Sequence, residues 1–377
     1  MTRDRLKELH EAGQSIWLDN IDRTMLHNGD LENRIRNECL TGMTSNPTIF
    51  EKALAQGSAY DEQLGAAESG LSTSELFELV ETEDVRRACD LFAGVFTKSR
   101  GNDGYVSIEV SPGVASDPNA TIEEARRLWK TVDRPNLMVK VPGTPEGAAA
   151  VRTLIADGIN VNITLLFAIE AHDRVVDAYM SGLEDRVKAG KPVDGIASVA
   201  SFFVSRVDTE VDKRLDALIQ KAPGESELLN GLKGRAAIAN AKLAYQLFVE
   251  RFSSPRWRSL EAAGARVQRP LWASTSTKNP AYRDVIYAEE LIGTQTVNTM
   301  PPGLIEAFRD HGETAVTVDR DPEESVRTIR QLEGVGVSMK DVTDKLLVDG
   351  LASFQKSFDT LLAGIGSKIS QLKTAAR

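Results

Sequence analysis

The sequence predicts an α/β fold, a closed (β/α)8 TIM barrel with extra helices. Eight short apolar runs alternate with longer amphipathic stretches, and this alternation is typical of a parallel sheet covered by helices. Eight repeats favour closure of the sheet into a barrel, whereas an open doubly wound sheet is the competing fold. The length of 377 residues suits one barrel with insertions, so we expect a single domain over residues 1–377.

The strands are predicted from runs bounded by turn-forming and polar residues. They begin at residues 15, 42, 105, 137, 160, 195, 270 and 294, with the sequences SIWLDN, GMTSNP, YVSIEV, LMVKVP, NVNITLL, GIASVASFF, PLWASTS and TQTVNTM. Two of the segments between predicted strands are too long for one helix, so we expect helical insertions near residues 48–104 and 204–269. The extension near 302–377 reads as wholly helical, and its last long helix is expected to cross the barrel mouth.

Helix ends are predicted from capping residues. Thr144 is the expected N-cap of the helix that follows the fourth strand, since Pro145 comes next. A capping box formed by Thr121 and Glu124 is expected at the start of the preceding helix. His172 lies on a helical pattern, and we expect it to be solvated or to cap a helix end.

Composition excludes several classes of protein. The chain has 45 basic and 55 acidic residues, a net charge of −10, so a basic footprint for nucleic acid is missing. Two cysteines, Cys39 and Cys89, cannot form a disulfide framework, and the four histidines are widely separated. The N-terminus lacks an apolar signal and no run is long enough to span a membrane. We therefore expect a cytoplasmic protein without a metal site built from cysteines or paired histidines.

Polar residues cluster at the predicted carboxyl ends of the strands, where barrel enzymes carry their chemistry. In strand order they include Asp19, Ser45, Asn46, Glu109, Lys140, Asn162, Thr164, Ser201, Arg206 and, beyond strand seven, Lys278. These ten side chains are the candidate site.

Lys140 is the most informative of them because it lies inside the apolar run LMVKVP. Burying an ammonium is costly, so burial favours the neutral amine. A neutral amine is a nucleophile that attacks carbonyl groups to form a Schiff base. The alternative is a structural lysine that pairs with Glu109 on the neighbouring strand. The residues alone leave both interpretations open.

Two carboxylates add to the catalytic interpretation. Asp19 and Glu109 could supply the proton transfers that carbon–carbon cleavage through a Schiff base requires, although a buried ion-pair network would use the same residues.

Other polar side chains could bind a sugar phosphate, although Arg206 and Lys278 could equally be solvated surface cations. Asn46, Asn162 and Thr164 could bind hydroxyl groups, and Arg206 and Lys278 could bind a phosphate.

The chain resembles the transaldolase family over about residues 10–370. The resemblance rests on TGMTSNPTIF at 41–50, LMVKVPGTPEG at 137–147 and NVNITLLF at 160–167, with support from SFFVSR at 201–206 and VTDKLLVDGLASF at 342–354. The TSNP and NxTLLF elements together are highly specific. The length of the chain and the sequence of residues 41–50 are typical of the family's longer bacterial branch.

This resemblance implies a transferase of the pentose phosphate pathway that needs no cofactor. It would move a dihydroxyacetone unit from sedoheptulose 7-phosphate or fructose 6-phosphate to an aldose phosphate, glyceraldehyde 3-phosphate or erythrose 4-phosphate. The implied roles are a Schiff base on Lys140, proton transfer by Asp19, a catalytic water held by Glu109 and Thr164, dihydroxyacetone binding by Asn46 and Asn162, and phosphate binding by Ser201 and Arg206. Shorter family members carry an arginine after strand seven where this chain offers Lys278.

Two alternatives stay open at this point. A class I aldolase would use the same chemistry and release free dihydroxyacetone, because its enamine is less well shielded. A non-catalytic sugar-phosphate binding protein would not need a buried lysine between two carboxylates. As partners we expect sugar-phosphate substrates, without nucleic acid or membrane, and the exposed helical faces would permit a homodimer.

Overall fold

The eight strands form one closed parallel barrel. The computed structural model describes residues 3–55, 57–68 and 70–375. The strands are β1 (Gln14–Asp19), β2 (Leu40–Thr44), β3 (Tyr105–Glu109), β4 (Leu137–Pro142), β5 (Val161–Leu166), β6 (Ser198–Phe203), β7 (Gln268–Ala273) and β8 (Thr296–Met300). Each strand pairs in parallel with the next, and β1 also pairs with β8. The predicted barrel is confirmed, and each predicted strand overlaps an observed one.

Helices surround the barrel. They are α1 (Arg5–Glu11), α2 (Arg23–His27), α3 (Asp30–Asn37), α4 (Pro47–Ala55), α5 (Asp61–Ala66), α6 (Thr73–Lys98), α7 (Pro118–Val132), α8 (Pro145–Asp157), α9 (Ile169–Lys188), α10 (Ser205–Lys221), α11 (Ser226–Leu232), α12 (Ala236–Arg251), α13 (Pro255–Ala262), α14 (Ile286–Glu290), α15 (Pro302–His311), α16 (Pro322–Gly334) and α17 (Met339–Ala375). Helices α4 to α6 lie between β2 and β3, and α10 to α13 lie between β6 and β7. The assignment of the whole chain to one domain stays a prediction.

The C-terminal part is less regular than the sequence indicates. Residues 312–321 are not helical, because this segment turns back to the barrel and the backbone N–H groups of Thr317 and Val318 donate to the oxygen of Ile292. Beyond it, the 37-residue helix α17 packs against α4, α5, α6 and α10. None of the helices within the described residues has the length and apolar character that crossing a bilayer requires.

Close packing inside the barrel depends on one glycine. Trp17 of β1 is fully buried and lies beside Gly42 of β2 in the strand register. A Cβ atom at residue 42 would lie 2.6 Å from the indole ring. Glycine therefore leaves the room that the tryptophan ring needs, and the indole N–H donates to Asp103.

Capping residues set the helix starts, and the sequence analysis misread one of them. Thr144 caps α8 as predicted, since its Oγ1 accepts a backbone N–H from the first turn. The capping box predicted at Thr121 and Glu124 is wrong, because α7 begins earlier and Asp117 caps it. The carboxylate of Glu124 instead accepts hydrogen bonds from the backbone and side chain of Ser111.

His172 is neither solvated nor a cap, so that expectation is wrong. The residue is fully buried in α9, its ring lies 5.9 Å from the ring of Phe202, and neither ring nitrogen has a partner among the described residues. Burial lowers the pKa of His172 to about 4, against the opposing charge of Asp173. The histidine is a neutral core residue.

We expect His172→Leu to make the protein less sensitive to acid. In the unfolded chain the imidazole gains a proton near its ordinary pKa of 6.5, whereas the folded protein resists protonation down to about pH 4. Stability is therefore lost as the pH falls between these values, by about 2 kcal/mol from about pH 7.5 to about pH 5. Urea unfolding at both pH values measures this loss, which His172→Leu should largely remove.

The exposed His27 provides the control. His27→Leu should keep the wild-type loss of stability between the two pH values. An equal loss in His172→Leu would show that this histidine is not the acid-sensitive group.

Candidate active site

Lys140 lies inside the barrel near the carboxyl end of β4 and is 6% exposed. Its Nζ donates hydrogen bonds to Glu109 Oε2 at 3.0 Å and to the backbone oxygen of Ser45 at 3.1 Å. The strand register explains this position, since Glu109 lies on one side of the lysine and Asn162 on the other. An ammonium has three N–H donors, so one remains for a group in the barrel mouth.

The ion pair of Lys140 and Glu109 is suited to proton exchange. Burial raises the pKa of Glu109, and the adjacent charge and hydrogen bond of Lys140 oppose this rise. A proton therefore moves from the ammonium to this carboxylate at a smaller free-energy cost than to an exposed one. The transfer leaves a neutral amine, which is the nucleophilic form of lysine.

Asp19 is a second carboxyl group near the same lysine. Its Oδ1 accepts a hydrogen bond from Thr44 Oγ1 at 3.0 Å, and the two residues are neighbours in the register of β1 and β2. Burial raises the pKa of Asp19, and the charge of Lys140, the Thr44 bond and the charges of Lys278 and Arg206 oppose the rise. Asp19 thus holds a proton to higher pH than an exposed aspartate does.

A cavity of about 600 Å³, the front cavity, opens at the carboxyl ends of the strands. This volume lies in the range of small-molecule sites. The predicted site residues in its wall are Asp19, Asn46, Lys140, Thr164, Ser201, Arg206 and Lys278. The barrel therefore brings together seven side chains that are far apart in sequence.

The other three predicted residues lie behind this wall. Ser45 Oγ donates to the backbone oxygen of Ser107. Asn162 donates to Ser107 Oγ at 3.0 Å and accepts from Ser201 Oγ at 2.7 Å. Glu109 reaches the site through its bond to the lysine. Ser45 and Asn162 are hydrogen-bonded to neighbouring residues and hold them in position. Their direct contact with a substrate stays a prediction.

Asn46 is fixed in the wall by the start of a helix. Its Oδ1 accepts the backbone N–H of Ile49 at 3.0 Å in the first turn of α4, which begins at Pro47. Proline is favoured at such a position because it lacks the N–H that a helix start leaves unpaired. The Asn-Pro pair of the sequence therefore turns the chain from β2 into α4 and sets the asparagine at the cavity.

The two predicted phosphate ligands, Arg206 and Lys278, line the cavity together with Lys52 and Lys140. Arg206, in the first turn of α10, has its guanidinium carbon 5.1 Å from the ring centre of Phe203. Burial lowers the pKa of Arg206, and the charge of Asp19 opposes the effect. Lys278 is exposed. An anion would meet a preorganised guanidinium and a more mobile ammonium.

The sequence analysis missed Lys52 and Phe354 of the cavity wall. Lys52 and Phe354 belong to α4 and α17, outside the strand ends to which that argument was restricted. Ser274 follows β7 with a left-handed φ of 56°, and its hydroxyl lies 2.9 Å from that of Ser205. A strained residue of this kind is typical of functional sites. The sequence carries no signal for this left-handed conformation, because serine does not require a positive φ.

Two buried oxygens at the site lack partners. Glu109 Oε1 and Thr164 Oγ1 have no hydrogen-bond partner among the described residues. Buried polar atoms are normally hydrogen-bonded, so each of these oxygens indicates a place for a polar ligand or a water. In the same described ranges, no group of three or more histidine, cysteine, aspartate or glutamate side chains could hold a metal ion.

Comparisons with known proteins show the family to which the chain is similar. Residues 16–365 match the family model described as Transaldolase/Fructose-6-phosphate aldolase. The chain is 44% identical over 377 residues to a transaldolase of Trichodesmium erythraeum, with 99% of both chains covered. It is 46% identical over 370 residues to a transaldolase of Mycolicibacterium smegmatis, with 98% of both chains covered.

Proposed function

The chain belongs to the transaldolase/fructose-6-phosphate aldolase family, and from this premise we propose that it is a transaldolase. It transfers a dihydroxyacetone unit from sedoheptulose 7-phosphate or fructose 6-phosphate to glyceraldehyde 3-phosphate or erythrose 4-phosphate. The observation that carries the proposal is the buried amine of Lys140, which is bonded to Glu109 and faces a cavity that also contains Asp19. These reactions place the enzyme in the pentose phosphate pathway.

The first step is formation of a Schiff base. The ammonium of Lys140 passes a proton to Glu109, and the resulting amine adds to C2 of the ketose. Glu109 then returns the proton to the C2 hydroxyl group, which leaves as water as the C=N bond forms. A water bound between the unpartnered oxygens of Glu109 and Thr164 would carry these protons.

The second step is cleavage of the C3–C4 bond. Asp19 takes the proton of the C4 hydroxyl group, and the electrons of the broken bond pass into the iminium to form an enamine on Lys140. The raised pKa of Asp19 suits this role because a general base works best near the working pH. Asn46 binds the dihydroxyacetone part from the cavity wall.

The last step distinguishes two reactions of this chemistry. A transaldolase keeps the enamine shielded until an aldose phosphate adds to it, whereas a class I aldolase protonates it and releases dihydroxyacetone. The family description covers both activities. Transfer is favoured by helix α17, whose Phe354 lines the front cavity and limits water at the enamine.

Borohydride trapping tests the proposal. The protein is incubated with fructose 6-phosphate, reduced, digested and examined by mass spectrometry. A three-carbon adduct on Lys140 that disappears when erythrose 4-phosphate is added would support transfer. Release of free dihydroxyacetone at the rate of cleavage would favour the aldolase. Absence of an adduct on every lysine, with binding of the sugar demonstrated, would revive the sugar-phosphate binding protein.

We expect Arg206→Met to raise the KM for fructose 6-phosphate by about tenfold or more, since a charge-assisted pair in a partly buried site is worth about 1.5–3 kcal/mol. Lys278→Met should have a smaller effect, because an exposed ammonium is screened by solvent. Turnover of fructose, which lacks the phosphate, provides the control and should change little in either variant. An equal loss with fructose would assign Arg206 to the shape of the cavity instead.

A further inference from the structure

A second, smaller cavity lies on the other side of Glu109 from the front cavity. This rear cavity has a volume of about 190 Å³. Its wall contains Pro47, Ser74, Phe77, Glu78, Glu81, Glu109, Val110, Ser111, Glu124, Arg127, Leu128 and Phe358. Lys140 lines the front cavity and Glu109 lines the rear one. The ion pair of these two residues therefore separates the two spaces.

The rear cavity is polar at its inner end. Glu81 of α6 is only 4% exposed. Burial raises the pKa of Glu81 well above its ordinary value, with further contributions from Glu109, Glu124 and Glu78 and opposition from Lys140. The buried Oε1 of Glu109 has no partner among the described residues. A polar space of this size holds several waters, whereas empty cavities are typically apolar.

The same cavity reaches the protein surface. Ser74, in the first turn of α6, is exposed. The ion pair of Arg127 and Glu78, at 2.8 Å, lies beside it with side chains 53% and 28% exposed. The wall thus passes from exposed residues of α6 and α7 to the buried carboxyl groups of Glu81 and Glu109. Polar side chains are thus present from the exposed end of the rear cavity to the rear of the ion pair.

We propose that the rear cavity is the water port of the Lys140 site, through which the water of Schiff-base formation leaves and returns while the sugar occupies the front cavity. This inference rests on the proposed function. Loss of the C2 hydroxyl group produces one water and hydrolysis of the iminium consumes one. The proton that Glu109 takes from the ammonium goes back to the leaving hydroxyl, so the pair ends as iminium and carboxylate and takes no proton from solvent.

The port would reconcile two opposing needs of the reaction. Dehydration at C2 goes forward when water can leave, whereas the enamine must be kept from bulk water. The rear cavity contacts the Lys140 site only at the unpartnered oxygen of Glu109, so it would supply single waters to C2. It leaves the front cavity closed to solvent by the sugar and by α17.

Oxygen exchange measures the port directly. In an Asp19→Asn background the sugar forms the iminium and stays uncleaved in the front cavity, so fructose 6-phosphate in H₂¹⁸O gains label at C2 only when the released water is replaced. The rate of label entry is divided by the rate of iminium formation, which borohydride trapping gives. Exchange with Lys140→Met is subtracted as the background.

Ser74→Trp should close the outer mouth of the port with an indole ring. We expect the ratio of oxygen exchange to iminium formation to fall at least about threefold, because a water that cannot leave returns to the same carbon. Leu79→Trp adds the same ring to α6 at a residue that is 41% exposed and outside the cavity wall. This control should keep the ratio of the Asp19→Asn background.

A second pair of variants tests the port independently, so that the test does not depend on the folding of Ser74→Trp. Glu81→Leu makes the inner end of the port apolar and should lower the ratio, whereas Glu81→Gln keeps the size and polarity of the side chain and should preserve it. Circular dichroism checks the fold of each protein. Equal ratios in Ser74→Trp and Leu79→Trp, or in Glu81→Leu and Glu81→Gln, with the iminium still trapped, would overturn the port alone. Absence of a trapped iminium in all of them would overturn the proposed function.

Discussion

Lys140→Met is expected to lower transfer activity by about 10⁴-fold or more, since loss of a covalent nucleophile leaves only binding and the remaining polar groups. The borohydride adduct should disappear with the activity. Met keeps the length and volume of the lysine stem, so the shape of the front cavity should be preserved. Steady-state transfer from fructose 6-phosphate to erythrose 4-phosphate measures the loss.

The fold should survive this substitution. Removing the ammonium leaves Glu109 buried without its ion-pair partner, and an unpaired buried charge is strongly destabilising. Because burial raises the pKa of Glu109 and Lys140 is the group that opposes this rise, the carboxyl group can take up a proton and become neutral. The expected cost is therefore a modest loss of stability, which grows as the pH rises above the ordinary pKa of a glutamate because the unfolded chain then ionises first.

Lys242 provides a matched control for burial. It is 8% exposed and its Nζ lies 3.0 Å from Glu290 Oε2 in a part of the chain outside the front cavity. Lys242→Met should retain activity although it also removes a lysine–glutamate pair, one whose glutamate side chain is 42% exposed. Turnover that persists in Lys140→Met would leave the buried lysine with a structural role only.

Asp19→Asn should stop the reaction after the Schiff base has formed. Asparagine keeps an oxygen for the hydrogen bond from Thr44 and cannot accept the C4 hydroxyl proton, so kcat should fall by about 10²–10⁴-fold, the range of a lost general base. Reduction with borohydride should now yield a six-carbon phosphorylated adduct on Lys140 in place of the three-carbon one. The mass of the trapped peptide separates the two outcomes.

Asp22 is the matched control for this change. It also lines the front cavity and caps α2 through its side chain, and asparagine is an equally good N-cap. Asp22→Asn should therefore transfer dihydroxyacetone at nearly the wild-type rate. A three-carbon adduct in Asp19→Asn would show that another residue acts as the base in cleavage.

The pH profile of the wild-type enzyme follows from the same carboxyl group. Asp19 must be ionised to accept a proton, and its raised pKa means that it becomes protonated at a higher pH than an exposed aspartate. Activity should therefore fall on the acid side at a pH above the ordinary range of aspartate. This acid limb of kcat belongs to the cleavage step.

The sequence predicted the barrel because strand formation leaves a local signal. The β-branched runs around Val139 and Val161 belong to strands with helices on one side, and such runs are recognisable without tertiary information. The candidate catalytic residues followed from the rule that barrel chemistry lies at strand ends, and the barrel brings Asp19, Lys140 and Thr164 to one cavity as that rule implies.

What the sequence could not predict depends on contacts between distant segments. The side chain of Asn162 faces Ser107 and Ser201, and only the lateral register of three strands determines this. The burial of His172 depends on how α9 sits on the barrel. The prediction misplaced the start of α7 because Thr121 and Glu124 match a capping pattern, whereas Asp117 caps the helix four residues earlier.

Closure of the sheet between β1 and β8 also sets the order in which the site can be assembled. The lysine and its acid partner Glu109 are only 31 residues apart and lie on adjacent strands. Asp19 lies on β1, whose Gln14 bonds to Thr296 across 282 residues of chain. Contacts of such long sequence separation form slowly in folding. Asp19 is already held by Thr44 of β2 across 25 residues, so the lysine and its two carboxyl groups can meet before the barrel closes. A half-closed molecule would thus hold its reacting groups in a cavity that lacks the wall formed by Leu271 and Thr299.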